Sequence, residues 1–342
     1  MNPVGTDTSN ARTYRKAGVI GSGSWGTALS ILLHHNGLPV SLWAHNPLTL
    51  EAIARDRENR TYLPGIPFPE TIALEHNLAQ LHDCDLLLVV TPSKAIRETA
   101  RRIRTSNLPE SALLVSCTKG MEVGTGLRMS EVLRQELPAH RVSVLSGPGH
   151  AEEVARRAPT AVVLASEDEA EAKSLQNLFS NKFFRTYTNT DVTGVELGGA
   201  LKNIYAIAAG VADGLRLGDN TKAALITRAL AEMVRIGASA GGQQSTFYGL
   251  SGVGDLMVTC FSKHSRNRLV GERLGIGETL PAITASMQMV AEGVPTTLSV
   301  AKLAESRGLD APIVRCVKAI LLGELSPTDA LQSLLARDPR GE

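Results

Sequence analysis

The chain has 342 residues, 43% of them hydrophobic and 20% charged, with a formal net charge of +1. This length predicts about two domains, and this composition supplies a sizeable core and excludes a disordered chain. The charge balance lacks the surplus that nucleic acid or an anionic membrane requires of a partner, so any bound anion is expected to be small and met by a local cluster.

Residues 1–15 are polar and predict a loose tail with no secretory h-region. No apolar run approaches the ~18 residues of a membrane helix, which predicts a soluble, cytoplasmic protein without membrane insertion. Short apolar runs then alternate with helical stretches: 17–20, 39–43, 85–90, 112–116, 142–146 and 161–165. Continuous Val/Leu runs of this length suit strands buried on both faces of a parallel sheet. The pattern predicts an α/β fold, an N-terminal doubly wound sheet of Rossmann type over 16–190. After Thr190 the strand-like runs stop and Ala, Leu and Gly dominate, which predicts an all-helical C-terminal domain over 191–342. Its last helix is expected to start with Ser326 as N-cap, Pro327 first and Asp329 third. Cys84, Cys117, Cys260 and Cys316 are far apart and fit reduced thiols, with neither a disulfide framework nor a metal site.

"GVIGSGSWGTALSILLHHNG" carries G-x-G-x-x-G at Gly21, Gly23 and Gly26. The pattern alone is weak, but here it follows a strand and opens an apolar helix that ends at Asn36-Gly37. That is the context of a dinucleotide site: Gly21 for the tight turn, Gly23 for approach of the pyrophosphate, Gly26 for packing of helix on strand. An NAD site usually holds an Asp or Glu after the second strand for the ribose 2′-OH. From Thr27 to Leu50 there is no acidic residue, and His45 stands in that place. Nothing there repels a 2′-phosphate, so NADP(H) is the expected cofactor, with NAD(H) possible.

Ligands of open α/β sheets bind beyond the carboxyl ends of the strands. Three such ends carry chemistry. Pro92 follows one strand, and Lys119 follows another within "CTKG". Gly147-Pro148-Gly149 turns into a helix near Ala151 and presents N–H groups to an anion. Lys119 is sited to counter a phosphate or polarise a carbonyl, although a surface lysine would look the same.

In "ELGGALKNIYAIAAGVADGL", Lys202 is the only charge between Glu196 and Asp213. On a helix it faces Gly198, Gly199, Tyr205 and Ala206, small neighbours that leave room for a ligand. Desolvation would lower its pKa toward neutrality, as general acid–base work requires. Asp255, following G-x-G, is either a helix N-cap or a carboxylate that orients Lys202. Ser265-Arg266-Asn267 offers a hydroxyl, a guanidinium and an amide for phosphate oxygens, or else belongs to a solvated basic face. Spacing alone does not separate these.

"GSGSWGTAL", "CTKG", "SGPGHAEE", "GVELGGALKNIYAIAAGVADGL", "GVGDLMVTCFSKHSRNRLVG" and "MVAEGVPTT" occur in the order seen in bacterial-type NAD(P)-dependent glycerol-3-phosphate dehydrogenase, and the chain resembles that family from about Lys16 to its last helix. The resemblance implies reversible reduction of dihydroxyacetone phosphate to sn-glycerol 3-phosphate, which feeds glycerophospholipid synthesis. It implies Lys202 as proton donor and acceptor. It implies substrate contacts at Lys119, Gly147, Gly149, Asp255, Ser265, Arg266 and Asn267. It implies cofactor contacts at Ser24, Trp25, His45, Lys119, Ala151, Arg266, Val290 and Glu292. Gly149 departs from the polar residue usual in the family and leaves only its backbone to contribute. Two rival readings are a related hydroxyacid or ketopantoate reductase and a non-catalytic NADPH-sensing module. A homodimer is expected from the kind of helical second domain.

Overall fold

The computed structural model describes residues 12–337. Its sheet has eight strands: β1 (Ala17–Ile20), β2 (Val40–Trp43), β3 (Ala73–Glu75), β4 (Leu86–Val89), β5 (Leu113–Ser116), β6 (Val142–Ser146), β7 (Thr160–Ala165) and β8 (Phe184–Asn189). Their spatial order is β3-β2-β1-β4-β5-β6-β7-β8. Neighbours pair in parallel except β6 and β7, which are antiparallel. Every residue of β1, β2, β4, β5 and β6 is buried, as expected of strands covered on both faces. The order reverses at β1, which opens a crevice between the carboxyl ends of β1 and β4.

Six strands fall within a residue of the apolar runs. The antiparallel step at β7 departs from the expected parallel sheet. The connection from Ser146 to Thr160 holds only a five-residue helix, Ala151–Ala155, so the chain turns back at the same edge instead of crossing over. The apolar runs gave no sign of two edge strands. β3 has three residues, and β8 alternates, with Phe184 and Thr186 buried and Arg185 and Tyr187 exposed. Of the expected tail, residues 1–11 lie outside the described residues. Residues 12–15 do not behave as one: Tyr14 is 7% exposed and its ring packs into the sheet core, while the Arg12 backbone N–H donates to Ser174 Oγ at 3.0 Å.

Three helices of the sheet half matter below: α1 (Ser24–His35), α2 (Ile96–Thr105) and α3 (Met129–Glu136). α1 stops at Asn36, and Gly37 takes the left-handed φ of +87°.

After Asn189 the described chain is helical. α4 (Val192–Gly214) is a 23-residue helix buried along nearly its whole length, the axis on which the rest of this half is built. Asp191 caps it, accepting from Gly194 N–H at 2.8 Å and tying down Gln243 N–H and Thr246 Oγ at 2.8 and 2.7 Å. α5 (Asp255–Phe261), α6 (Arg266–Gly275) and α7 (Gly293–Ser306) pack around it. α4 and α6 meet through glycines: a Cβ added at Gly210 would strike the Arg268 carbonyl, and one at Gly271 the Ile207 carbonyl. The final helix, α8 (Pro327–Leu335), starts as expected, with Ser326 Oγ accepting from Asp329 N–H at 3.1 Å. Among the described residues no helix is long and apolar enough to cross a membrane.

Candidate active site

The turn from β1 into α1 fits a dinucleotide pyrophosphate. Gly21 has φ +124°, and a Cβ there would lie 2.6 Å from the Val90 carbonyl oxygen. Gly23, the N-cap of α1, has open space where a Cβ would point and no side-chain cap. A Cβ at Gly26 would run into the Gly21 carbonyl. The first-turn N–H groups, Ser24 and Trp25 among them, therefore follow a position beside which a Cβ would meet no other atom within 4 Å. Gly149 lies against Trp25, with a Cβ position 3.2 Å from the indole, and Ala151 opens the short helix that follows. Pro92 caps the turn after β4, and the next residue, Ser93, donates from its backbone N–H to Glu292 Oε1 at 2.9 Å and from its hydroxyl to Oε2. Burial pushes the Glu292 pKa up, while Ser93 and Arg266 oppose it. Arg266 Nη1 donates to the Val290 carbonyl at 3.0 Å. His45 stands apart from these groups, beyond β2, beside Arg102.

Lys202 is 7% exposed, and the amine of Lys119 approaches its amine from the sheet edge; Asp255, 1% exposed, lies between them. Asp255 Oδ2 accepts from Lys119 Nζ at 2.6 Å, and Oδ1 lies 3.2 Å from Lys202 Nζ. Lys119 Nζ also donates to the Gly147 carbonyl at 2.7 Å. Gly147 has φ +121°, a conformation that frees this carbonyl at glycine's low cost. The Lys202 pKa falls to about 8: burial is the largest cause, Asp255 opposes it, and the Lys119 charge acts with burial. Burial alone would raise the Asp255 pKa, but the two ammonium groups outweigh it and hold it below the usual carboxylate range. Asp255 is not the N-cap of α5. Gly254 holds that position, and the carboxylate, one residue inside, is free to serve the lysines.

Ser265 caps α6, accepting from Arg268 N–H at 3.2 Å. Asn267 is engaged inside the protein: Nδ2 donates to Asn203 Oδ1 and Oδ1 accepts from Gly293 N–H, both at 2.8 Å. The glycines beside Lys202 make room for protein, contrary to the expectation of a ligand. Gly198 admits the Ser251 carbonyl from a π-helical turn at Leu250–Gly254, and Gly199 admits Ser146 Oγ and the Lys119 stem.

Three residues were not anticipated. Thr259 accepts from Lys202 Nζ at 2.7 Å and donates to the Asp255 carbonyl at 2.6 Å. It stands four residues after Asp255 on α5, a spacing that places both on one face and was there to be read. Asn203, next to Lys202, bridges Asn267 to the Lys119 carbonyl, the latter at 3.4 Å. His150 has a buried, unpartnered Nε2 and a ring 5.8 Å from that of His264; burial and the two lysines push its pKa down. A cavity of about 580 Å³ lies elsewhere, lined by Ala208, Leu225, Pro312, Ile320 and Leu334, and includes none of these residues.

The arrangement is a buried amine of near-neutral pKa, fixed by a carboxylate and a hydroxyl at a dinucleotide crevice. Comparison with known proteins agrees with it. The family profile described as NAD-dependent glycerol-3-phosphate dehydrogenase N-terminus matches residues 16–172, and the C-terminus profile matches 191–332. The chain is 49% identical to the glycerol-3-phosphate dehydrogenase, NAD(P)+-type, of Prosthecochloris aestuarii, over 95% of this chain and 98% of that one. It is 46% identical to the protein of the same name from Chlorobium limicola, over 95% and 98%. A crystal structure of glycerol-3-phosphate dehydrogenase from Coxiella burnetii superposes with a TM-score of 0.91 at 39% identity, covering 94% of this chain and 99% of that one. With both halves matched and nearly half of the positions shared along almost the full length, the chain belongs to the NAD-dependent glycerol-3-phosphate dehydrogenase family.

Proposed function

We propose that the protein catalyses the reversible NAD(P)H-dependent reduction of dihydroxyacetone phosphate to sn-glycerol 3-phosphate, supplying glycerophospholipid synthesis. In this reading 16–190 binds the dinucleotide and 191–342 the substrate, and the protein works as a cytoplasmic homodimer. The observation that carries it is Lys202: a buried ammonium held between Asp255 and Thr259, with a pKa of about 8.

When bound, the nicotinamide supplies the hydride that reaches the ketone carbon. Lys202 Nζ gives a proton to the ketone oxygen as charge develops there, becomes a neutral amine and is recharged from solvent. In the oxidative direction the neutral amine takes the hydroxyl proton. Asp255 keeps the ammonium charged and aimed, while Thr259 holds it from the other side and is itself held by the Asp255 carbonyl. Lys119 and Arg266 hold the phosphate end by charge, and Asn267 adds its remaining amide hydrogen. Ser265, Gly147 and Gly149 shape that end through their backbone. Gly21, Gly23, Ser24, Trp25, Gly26, Pro92 and Ala151 line the cofactor, and Val290 and Glu292 close it from the helical side.

The test is a spectrophotometric assay of NADPH and NADH oxidation with dihydroxyacetone phosphate, run beside a hydroxyacid precursor and ketopantoate. Turnover confined to the phosphorylated ketone is expected. Preference for a keto acid, or tight NADPH binding with no turnover on any ketone, would overturn the reading. Mass in solution tests the dimer.

A further inference from the structure

α2 carries four arginines on a ten-residue helix, and they do not behave alike. Arg97, Arg101 and Arg104 all form ion pairs with Glu136, and Arg97 also pairs with Glu122. Arg102 has no carboxylate partner among the described residues. It leans the other way, over β2, with its guanidinium carbon 5.0 Å from the centre of the Trp43 ring. Its Nη1 lies 2.6 Å from His45 Nδ1. Arginine has only donors, so Nδ1 must accept, and the hydrogen of the neutral imidazole sits on Nε2. His45 is exposed, and its ring stands edge-on to Trp43 with centroids 6.4 Å apart.

The place is the carboxyl end of β2, where a Rossmann-type fold seats the adenosine ribose. A stacked guanidinium fixed by one hydrogen bond keeps its other N–H groups available as a preorganised fork. Absence of an acid explains why a 2′-phosphate is not repelled; it does not explain what attracts one. We propose that Arg102, braced by Trp43, and His45 together form the seat of the 2′-phosphate, so that this pair sets a preference for NADP(H) over NAD(H). The inference rests on the dehydrogenase reading for the cofactor class, but not on the substrate or on turnover.

The test is direct binding to the purified protein, followed by tryptophan fluorescence or calorimetry. The probes are NADPH, NADH and the fragment adenosine 2′-monophosphate. In Arg102→Leu, NADPH should bind about 10- to 100-fold more weakly, as expected for loss of a charge-assisted fork. NADH should stay within about twofold, and the fragment should follow NADPH. Arg102→Lys should be intermediate, because it keeps charge and loses planarity. His45→Asp supplies the missing acid, which pairs with Arg102 and opposes the phosphate; NADPH should weaken while NADH holds. Equal loss for NADPH and NADH would make Arg102 a brace for the strand and overturn the proposal, as would unchanged NADPH binding in both Arg102→Leu and His45→Asp. Turnover separates the two readings. Arg102-dependent NADPH binding without reduction of dihydroxyacetone phosphate would sink the activity alone, and activity with an indifferent Arg102 would sink only this proposal.

Discussion

Lys202 shows how one side chain is tuned by competing terms. Burial pulls its pKa down to about 8 and Asp255 resists, so the amine can change charge near neutrality. Lys202→Ala should fold and bind NADPH normally yet lose about 100- to 10,000-fold in turnover, the range for a missing general acid; near-wild-type rates would remove the assignment. The reductive direction needs the charged amine, so kcat/KM for ketone reduction should be level at lower pH and fall as pH rises through about 8. Oxidation of the alcohol should rise over the same interval. Asp255 raises the Lys202 pKa, so Asp255→Asn should move the reductive limb to lower pH, read from full pH–rate profiles in both directions. A limb that stays in place would show that another group titrates.

At the scale of elements, α4 owes its position to residues that have no side chain. Gly210 faces the Arg268 carbonyl and Gly271 faces the Ile207 carbonyl, so α4 and α6 touch backbone to backbone. α6 begins at Arg266 and α4 bears Lys202, so this crossing sets the distance between the groups proposed to bind the phosphate and to transfer the proton. Gly271→Val would force a branched side chain onto a carbonyl that cannot rotate away, and should cost about 3 kcal/mol or more by overpacking. Thermal unfolding measures that loss, and the KM for the phosphorylated substrate should rise with it. An unaltered melting temperature would mean that the crossing is loose. The Asp255–Thr259 pair illustrates what local spacing contains: both face Lys202 because they lie one turn apart on α5.

Across the whole molecule, buried contacts bind the sheet half to the helical half on either side of the site. Glu196, near the start of α4, accepts from Arg128 at 2.9 Å and from the Ser130 backbone and hydroxyl at 2.8 and 2.6 Å. Ser93 and Glu292 join the end of β4 to the start of α7. Burial raises the Glu196 pKa against the pull of Arg128 and Ser130, so the cost of burying the carboxylate exceeds what these partners return. Glu196→Ala leaves Arg128 with Glu131 alone, at 2.8 Å, and leaves the buried Ser130 donors without their acceptor; it should destabilise the protein by about 1–3 kcal/mol, seen as a lower midpoint in urea. A neutral result would mean that water or a rearranged partner takes up the charge.

Local chemistry carried much of this protein. The buried strands are continuous Val/Leu runs because both faces are covered, the glycine loop follows a strand and opens a helix as a dinucleotide site requires, and the Ser326 cap obeys backbone hydrogen bonding within four residues. Lys202 stood out because a lone charge in an apolar helix is costly unless it is paired or has a task. The partners themselves lay beyond reach of any such reading. Asp255 sits 53 positions away from Lys202 and Lys119 a further 83 in the other direction, and nothing along the chain states that a carboxylate will stand between them. Likewise the glycines near Lys202 looked like room for a ligand until packing filled them with Ser251 and Lys119, and nothing along the chain shows that Arg102 meets His45. Periodicity and turn chemistry act over a few residues, so they can be read in order. Distances between segments exist only after the chain has closed on itself, and those distances decide which charges meet.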